Sequence, residues 1–163
     1  MEVRLQGVRD YLLKLENNLM LGSGRWIADF NESFWEYKVN NLTFNFFLWG
    51  GMRPKGFALS RIAATIMLPN YKAACFAYTG GPDIKQLTNM VTAIHQVADE
   101  KKIDWSWLVI THEGAFSSQA KAKVEKDDTH ELGIALVDVK NQVIVTSHSY
   151  VGRRMERFIK AFK

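Results

Sequence analysis

The sequence predicts a single α/β domain, a mixed sheet flanked by helices, and three features carry that prediction. Stretches with helical spacing alternate with short apolar runs along the whole chain. No repeat, low-complexity tract or Pro/Ser-rich linker divides the 163 residues. The segment KAACFAYTGGPDIKQL, residues 72–87, runs without charge from Ala73 to Thr79, crosses Gly80-Gly81-Pro82-Asp83 and enters a helical pattern. That is the signature of a buried strand feeding a helix through a tight turn. A chain of this length buries a sizeable core without disulfides or metals.

Each element follows from local pattern. Residues 3–20 carry Leu5, Val8, Leu12, Leu15 and Leu19 at intervals of three and four, an amphipathic helix ended by Gly22-Ser23-Gly24. Residues 34–49, FWEYKVNNLTFNFFLW, are aromatic-rich and broken by Asn40-Asn41, which reads as a β-hairpin. Residues 57–68, FALSRIAATIML, suit a strand or a short helix, and 72–79 are expected to return beside them. From Asp83 a helix carries Ile84, Leu87, Val91, Ile94 and Ala98 on one face, with Pro82 and Asp83 suited to its first turn. A strand follows over 105–111. Ser117 is placed to cap a short helix over 119–126. Residues 132–139 and 142–146 form a second hairpin around Lys140-Asn141, and a last helix covers 150–163.

Composition limits the functional classes. A hydrophobic share of 47% beside a charged share of 23% is that of an ordinary globular protein. The single cysteine, Cys75, rules out an intrachain disulfide framework and suits a reducing compartment, so the expected location is the cytoplasm. No apolar run is long enough to span a membrane, and charges interrupt the N-terminal segment where a signal peptide would be apolar. Gly22-Ser23-Gly24 lacks the lysine and spacing of a phosphate loop, and there is no Gly-x-Ser-x-Gly elbow. Apolar neighbours leave Cys75 unactivated as a nucleophile.

Residues 62–139 resemble the core of the PD-(D/E)XK nuclease superfamily, most closely the Mrr-type restriction endonucleases. The resemblance rests on WLVIT (107–111), AFSSQAKAKVEK (115–126) and GIALVDV (133–139), in that order after a strand ending Tyr78-Thr79-Gly80. It implies a restriction endonuclease-like mixed sheet, with an Asp on one strand and Glu-x-Lys on the next. Here the Glu position falls on Cys75, the Lys position on Ala77, and the upstream Asp on Ala63 or Ala64. Mg²⁺ needs oxygen ligands, usually carboxylates, and neither sulfur nor a methyl group replaces them. The resemblance therefore implies a vestigial site: no catalytic residue, no metal and no cofactor.

Other constellations compete. Glu36-Tyr37-Lys38 is a literal Glu-x-Lys with Asp29 upstream, which gives a divergent metal-dependent nuclease as one alternative. Alternating charges on an exposed hairpin face explain the same pattern, and Asn40-Asn41 leads into a strand where the family has a helix. Asp127, Asp128, His130 and Glu131 offer metal-ligand chemistry but read as a solvated loop. His112-Glu113 follows a strand end, where α/β proteins often hold ligands.

The strongest positive signal is the C-terminal helix. The last fifteen residues hold five cations against one carboxylate, a balance of +4 that equals the net charge of the whole chain. Val151, Met155, Phe158 and Phe162 form an apolar stripe, while Arg153, Arg154, Arg157 and Lys160 form a cationic ridge. That arrangement predicts docking by one face and phosphate contact by the other. The expected function is noncatalytic nucleic-acid binding, DNA before RNA, with an acidic protein surface as rival partner. The other alternative is a protein-interaction subunit that dimerises through the aromatic hairpin, around Phe47 and Trp49.

Overall fold

The architecture is known from a computed structural model that describes residues 2–22, 29–51 and 72–162, with backbone alone for residues 2–6 and Asp29. In chain order the elements are α1 (Glu2–Met20), β1 (Asp29–Val39), β2 (Leu42–Gly51), β3 (Lys72–Thr79), α2 (Ile84–Lys101), β4 (Trp105–His112), α3 (Ser118–Glu125), β5 (Leu132–Asp138), β6 (Val143–Thr146) and α4 (Tyr150–Ile159). The six strands form one sheet in sequence order. β1–β2, β2–β3 and β5–β6 are antiparallel, whereas β3–β4 and β4–β5 are parallel and connected through α2 and α3. The chain is thus α/β, with a mixed sheet flanked by helices. The expected element over 57–68 lies outside the described residues, and both edges of β3 are taken by β2 and β4. Among the described residues no helix is long and apolar enough to cross a membrane.

Two parallel crossovers that advance in the same direction along a sheet place their helices on the same face, given the right-handed rule. α2 and α3 accordingly share one core with Phe44, Phe47, Phe76, Leu108, Ile110, Ile134 and Leu136. α1 and α4 share the other, with Phe46, Leu48, Cys75, Ala77, Trp107, Val109, Ala135 and Val137. β5 is buried at all seven positions, as its unbroken apolar run requires. Alternation along β3 sends Ala73, Cys75 and Ala77 toward α1 and Ala74 and Phe76 toward α2. The small side chains on the first of these faces leave room for the bulkier Tyr11, Leu12 and Leu15 of α1, which belong to the same core.

Local chemistry sets the element ends. Asp83 is the N-cap of α2 and forms a capping box with Gln86, each side chain bonding the other's backbone N–H at 2.7–3.0 Å. Pro82 therefore precedes the cap and stands outside the first turn. α2 buries Leu87, Met90, Ile94 and Val97, each worth about 1.5–3 kcal/mol by burial, well above any propensity difference between helix formers. Ser117 caps α3 through Ala120, as the sequence indicates. The first hairpin departs from simple alternation. Phe44 lies in the α2 core and Phe46 in the α1 core, so β2 changes phase at Asn45, and Glu36 of β1 adopts a left-handed φ of 53°.

Candidate nucleic-acid interface

α4 is fixed at both ends before its outer face is considered. At its start Ser149 is the N-cap, accepting from Gly152 N at 3.0 Å and donating to the Leu132 carbonyl at 2.9 Å. Ser147 joins it: the two hydroxyls are 3.1 Å apart, and Ser147 Oγ accepts from Ile134 N at 3.0 Å. This buried serine pair ties the helix to β5. Glycine makes the approach possible. A Cβ at Gly152 would stand 2.1 Å from Ser147 Oγ and 2.4 Å from its carbonyl oxygen, and a Cβ at Gly133 would stand 2.9 Å from Gly152 N. At the far end Tyr11 Oη donates to the Ile159 carbonyl at 2.7 Å and Asn18 Nδ2 to the Phe158 carbonyl at 2.9 Å. Those side chains of α1 satisfy carbonyls that further helix would use. The helix accordingly ends at Ile159, short of the expected 163, with Lys160 as C-cap. Burial raises the Tyr11 phenol far above its ordinary range, with the Cys75 thiol a lesser cause.

The inner face buries Val151, Met155, Phe158 and Ile159, which leaves Arg153, Arg154, Arg157 and Lys160 exposed on the outside. These four and Glu156 line an open surface hollow of about 540 Å³. Lys160 Nζ pairs with Glu156 at 3.0 Å, and among the described residues no carboxylate pairs with Arg153, Arg154 or Arg157. Two of the arginines lie over rings instead: the Arg154 guanidinium is 4.2 Å from the Tyr150 ring centroid and that of Arg157 4.5 Å from Phe158. Each contact is worth about 0.5–1 kcal/mol at a surface and holds the guanidinium in place. Arg153 and Arg154 sit near the positive end of the helix dipole, where cations do not stabilise a helix.

Beside the ridge runs a row of rings. Tyr150, 46% exposed, stands 6.2 Å from Trp105, which stands 6.1 Å from the exposed His130. The row joins the start of α4, the start of β4 and the loop before β5. Sequence reasoning passes over it, because only the sheet order brings residues 105, 130 and 150 together. It also passes over the serine pair and the glycine approach, whose only local trace is Ser147-His148-Ser149 before a helical pattern.

Of the positions that the resemblance implies to be vestigial, the described ones, Cys75 and Ala77, are not part of this surface. Cys75 and Ala77 have no exposed surface and belong to the core beneath α1. Cys75 pairs in register with Leu48 and Trp107, and Ala77 with Phe46 and Val109. Burial drives the Cys75 thiol far above its ordinary range, so it stays protonated. Ala63 lies outside the described residues. The strand antiparallel to β3 is β2, LTFNFFLWGG, which has no carboxylate.

The remaining candidates disperse. Asp29 and Glu36 lie seven residues apart on one continuous strand, about 20 Å at the usual rise, which is too far to share a metal ion. Glu36 and Lys38 are exposed, and the two-residue turn Asn40-Asn41 leads into β2. The literal Glu-x-Lys is a hairpin feature, although the left-handed Glu36 breaks the expected alternation of its two charges. Phe47 is fully buried and Trp49 half-buried under Lys72 and Lys101, whose Nζ atoms lie 5.3 and 4.9 Å from its ring. The hairpin presents Phe34 and Trp35 instead, 44% and 42% exposed.

In the 127–131 loop Asp127 accepts from Thr129 N at 2.9 Å, and among the described residues no group of three or more His, Cys, Asp or Glu is placed to hold a metal. His112 Nδ1 is 3.2 Å from the Gly114 carbonyl and its ring packs on Phe116. Glu113 Oε1 is buried with no hydrogen-bond partner among the described residues. Asp138 staples two loops, accepting from Gly114 N at 3.2 Å, Asn141 N at 3.0 Å and Asn141 Nδ2 at 2.7 Å. Burial opposes its ionisation, but these bonds and one from the Lys140 backbone hold its carboxyl below the usual range. Comparison of the chain with protein-family models, curated proteins and solved structures finds no match.

Proposed function

We propose that the protein is a noncatalytic nucleic-acid-binding domain whose phosphate-contacting surface is the ridge Arg153, Arg154, Arg157 and Lys160. The single observation that carries this reading is the ridge itself: three arginines exposed together, two of them lying over rings, without carboxylate partners among the described residues. Helix stability does not account for arginines near a helix start. From Arg153 to Lys160 the ridge rises about 10 Å along the helix, so its cations can meet more than one phosphate. Kinship to the PD-(D/E)XK nucleases, with the Glu and Lys positions, Cys75 and Ala77, absorbed into core, remains part of the proposal. Its support is the run β3-α2-β4-α3-β5, which carries the three motif segments in the implied order.

The test is binding of labelled duplex and single-stranded DNA over a salt series, beside the triple variant Arg153→Ala/Arg154→Ala/Arg157→Ala. Each phosphate contact contributes about 0.7–0.9 to the slope of log K against log salt, so the variant should lose roughly two to three units. An unchanged slope, or no binding to either DNA at low salt, refutes the reading. A second reading, homodimerisation through the hairpin, is favoured by exposed Phe34 and Trp35 on an edge strand whose outer edge has no partner among the described strands. Light scattering of wild type and Trp35→Asp measures it. A monomer at all concentrations excludes it.

A further inference from the structure

We propose that the strand held by this ridge is single, and that its bases stack on the ring row His130–Trp105–Tyr150 while its phosphates lie along the arginines. The inference rests on the nucleic-acid reading above and adds the class of ligand.

The rings are what a duplex would not use. In a duplex the base faces are stacked on one another and only groove edges are offered, whereas a single strand exposes whole faces to aromatic side chains. Tyr150 belongs to neither hydrophobic core, and nearly half its surface is open to solvent. Its ring contacts are Trp105, 6.2 Å away and tilted, and the Arg154 guanidinium, 4.2 Å from its centroid. His130 extends the row by one ring, and it too is exposed. Core packing explains only half-buried Trp105, which lies against the α1 side of the sheet. The ridge and the ring row meet at the residue pair Arg154–Tyr150. A strand with phosphates on Arg153, Arg154 and Arg157 therefore places its bases beside Tyr150 and Trp105. Since every base has a π-face, the surface selects strandedness and tolerates sequence.

The experiment measures affinity for a labelled single-stranded DNA, the RNA of the same sequence and the duplex DNA, with wild type, Tyr150→Ala, Tyr150→Phe, His130→Ala and the triple arginine variant. Tyr150 is exposed at the first helical position and His130 lies on a loop, so neither substitution removes core. Wild type should prefer single strands. Tyr150→Ala should weaken them roughly 5- to 150-fold, the loss of about one stacked base, with the salt slope unchanged. Tyr150→Phe should restore binding because the ring returns, and His130→Ala should weaken it less. RNA and DNA arms identify the sugar. Duplex bound as well as single strand, or Tyr150→Ala without effect on single strands, overturns stacking, while the arginine variant still reports on the ridge. Absence of binding to all three removes both readings.

Discussion

Replacing Gly152 with alanine should destabilise the protein although it places a better helix former in a helix. At an exposed helix interior the exchange would gain about 1 kcal/mol. Here the new methyl would stand 2.1 Å from Ser147 Oγ and 2.4 Å from the Ser147 carbonyl oxygen, so α4 must lift from that backbone and the serine side chain must turn away as well. Lifting a packed helix costs about 1–3 kcal/mol. Turning Ser147 leaves Ile134 N without its 3.0 Å acceptor inside the fold, at about 1–3 kcal/mol more. The net expectation is a loss of roughly 1–5 kcal/mol, a large part of a typical domain's stability of about 5–15 kcal/mol. Urea unfolding followed by circular dichroism measures it, with Gly81→Ala as control. A Cβ at Gly81 meets nothing closer than His112 Nε2 at 3.6 Å, an ordinary contact, so that variant should be nearly neutral. Equal or greater stability of Gly152→Ala would show that the close approach of α4 to the Ser147 turn does not exist in solution.

Tyr11→Phe removes the donor to the Ile159 carbonyl from a buried site and should cost about 1–3 kcal/mol by thermal or urea unfolding. In a spectrophotometric titration, the Tyr11 phenol should resist ionisation until the protein unfolds, since burial raises it. The folded Asp138 carboxyl lies below its unfolded value, so its contribution is full above about pH 4 and is lost as pH falls through the folded value. Melting temperatures between pH 7 and pH 3 should therefore drop less steeply for Asp138→Asn, which starts from a less stable protein. Cys75 should be inert to a thiol reagent in the native protein and react fully in denaturant, and fast labelling without denaturant would contradict its burial.

What the sequence reveals of this fold is whatever is written locally. The α2 helix, the Ser117 cap, the unbroken apolar run of β5 and the two hairpins are readable, because period, capping chemistry and turn residues act over a few positions. Of the face expected on α2, however, only Leu87 and Ile94 are buried, and Ile84 is exposed. The cationic ridge is readable for the same local reason, being about two helical turns of one segment. Contacts between distant segments decide the rest. α4 is shorter than its pattern because Tyr11 and Asn18, some 148 and 140 residues away, bond its last carbonyls. β2 lies between β1 and β3 with a core on each face, so FFLW is divided between the two cores and Phe47 is buried, while Phe34 and Trp35 on the edge strand β1 remain outside. His130, Trp105 and Tyr150 form a row only because β4 and β5 are neighbours and α4 starts beside them. In isolation each is an unremarked surface aromatic.

The attachment of α4 to α1 has a further consequence, for the order in which the molecule assembles. The Tyr11–Ile159 bond closes a loop of 148 residues, the kind of non-local contact that forms late and slows folding. During synthesis α1 emerges before the sheet, yet one of its two partners appears only with residues 150–162. Until then the sheet face carrying Phe46, Trp107 and Val137 lacks half its cover. A chain stalled before residue 150 would present that apolar face to chaperones, or to another copy of itself, and would carry no cationic ridge.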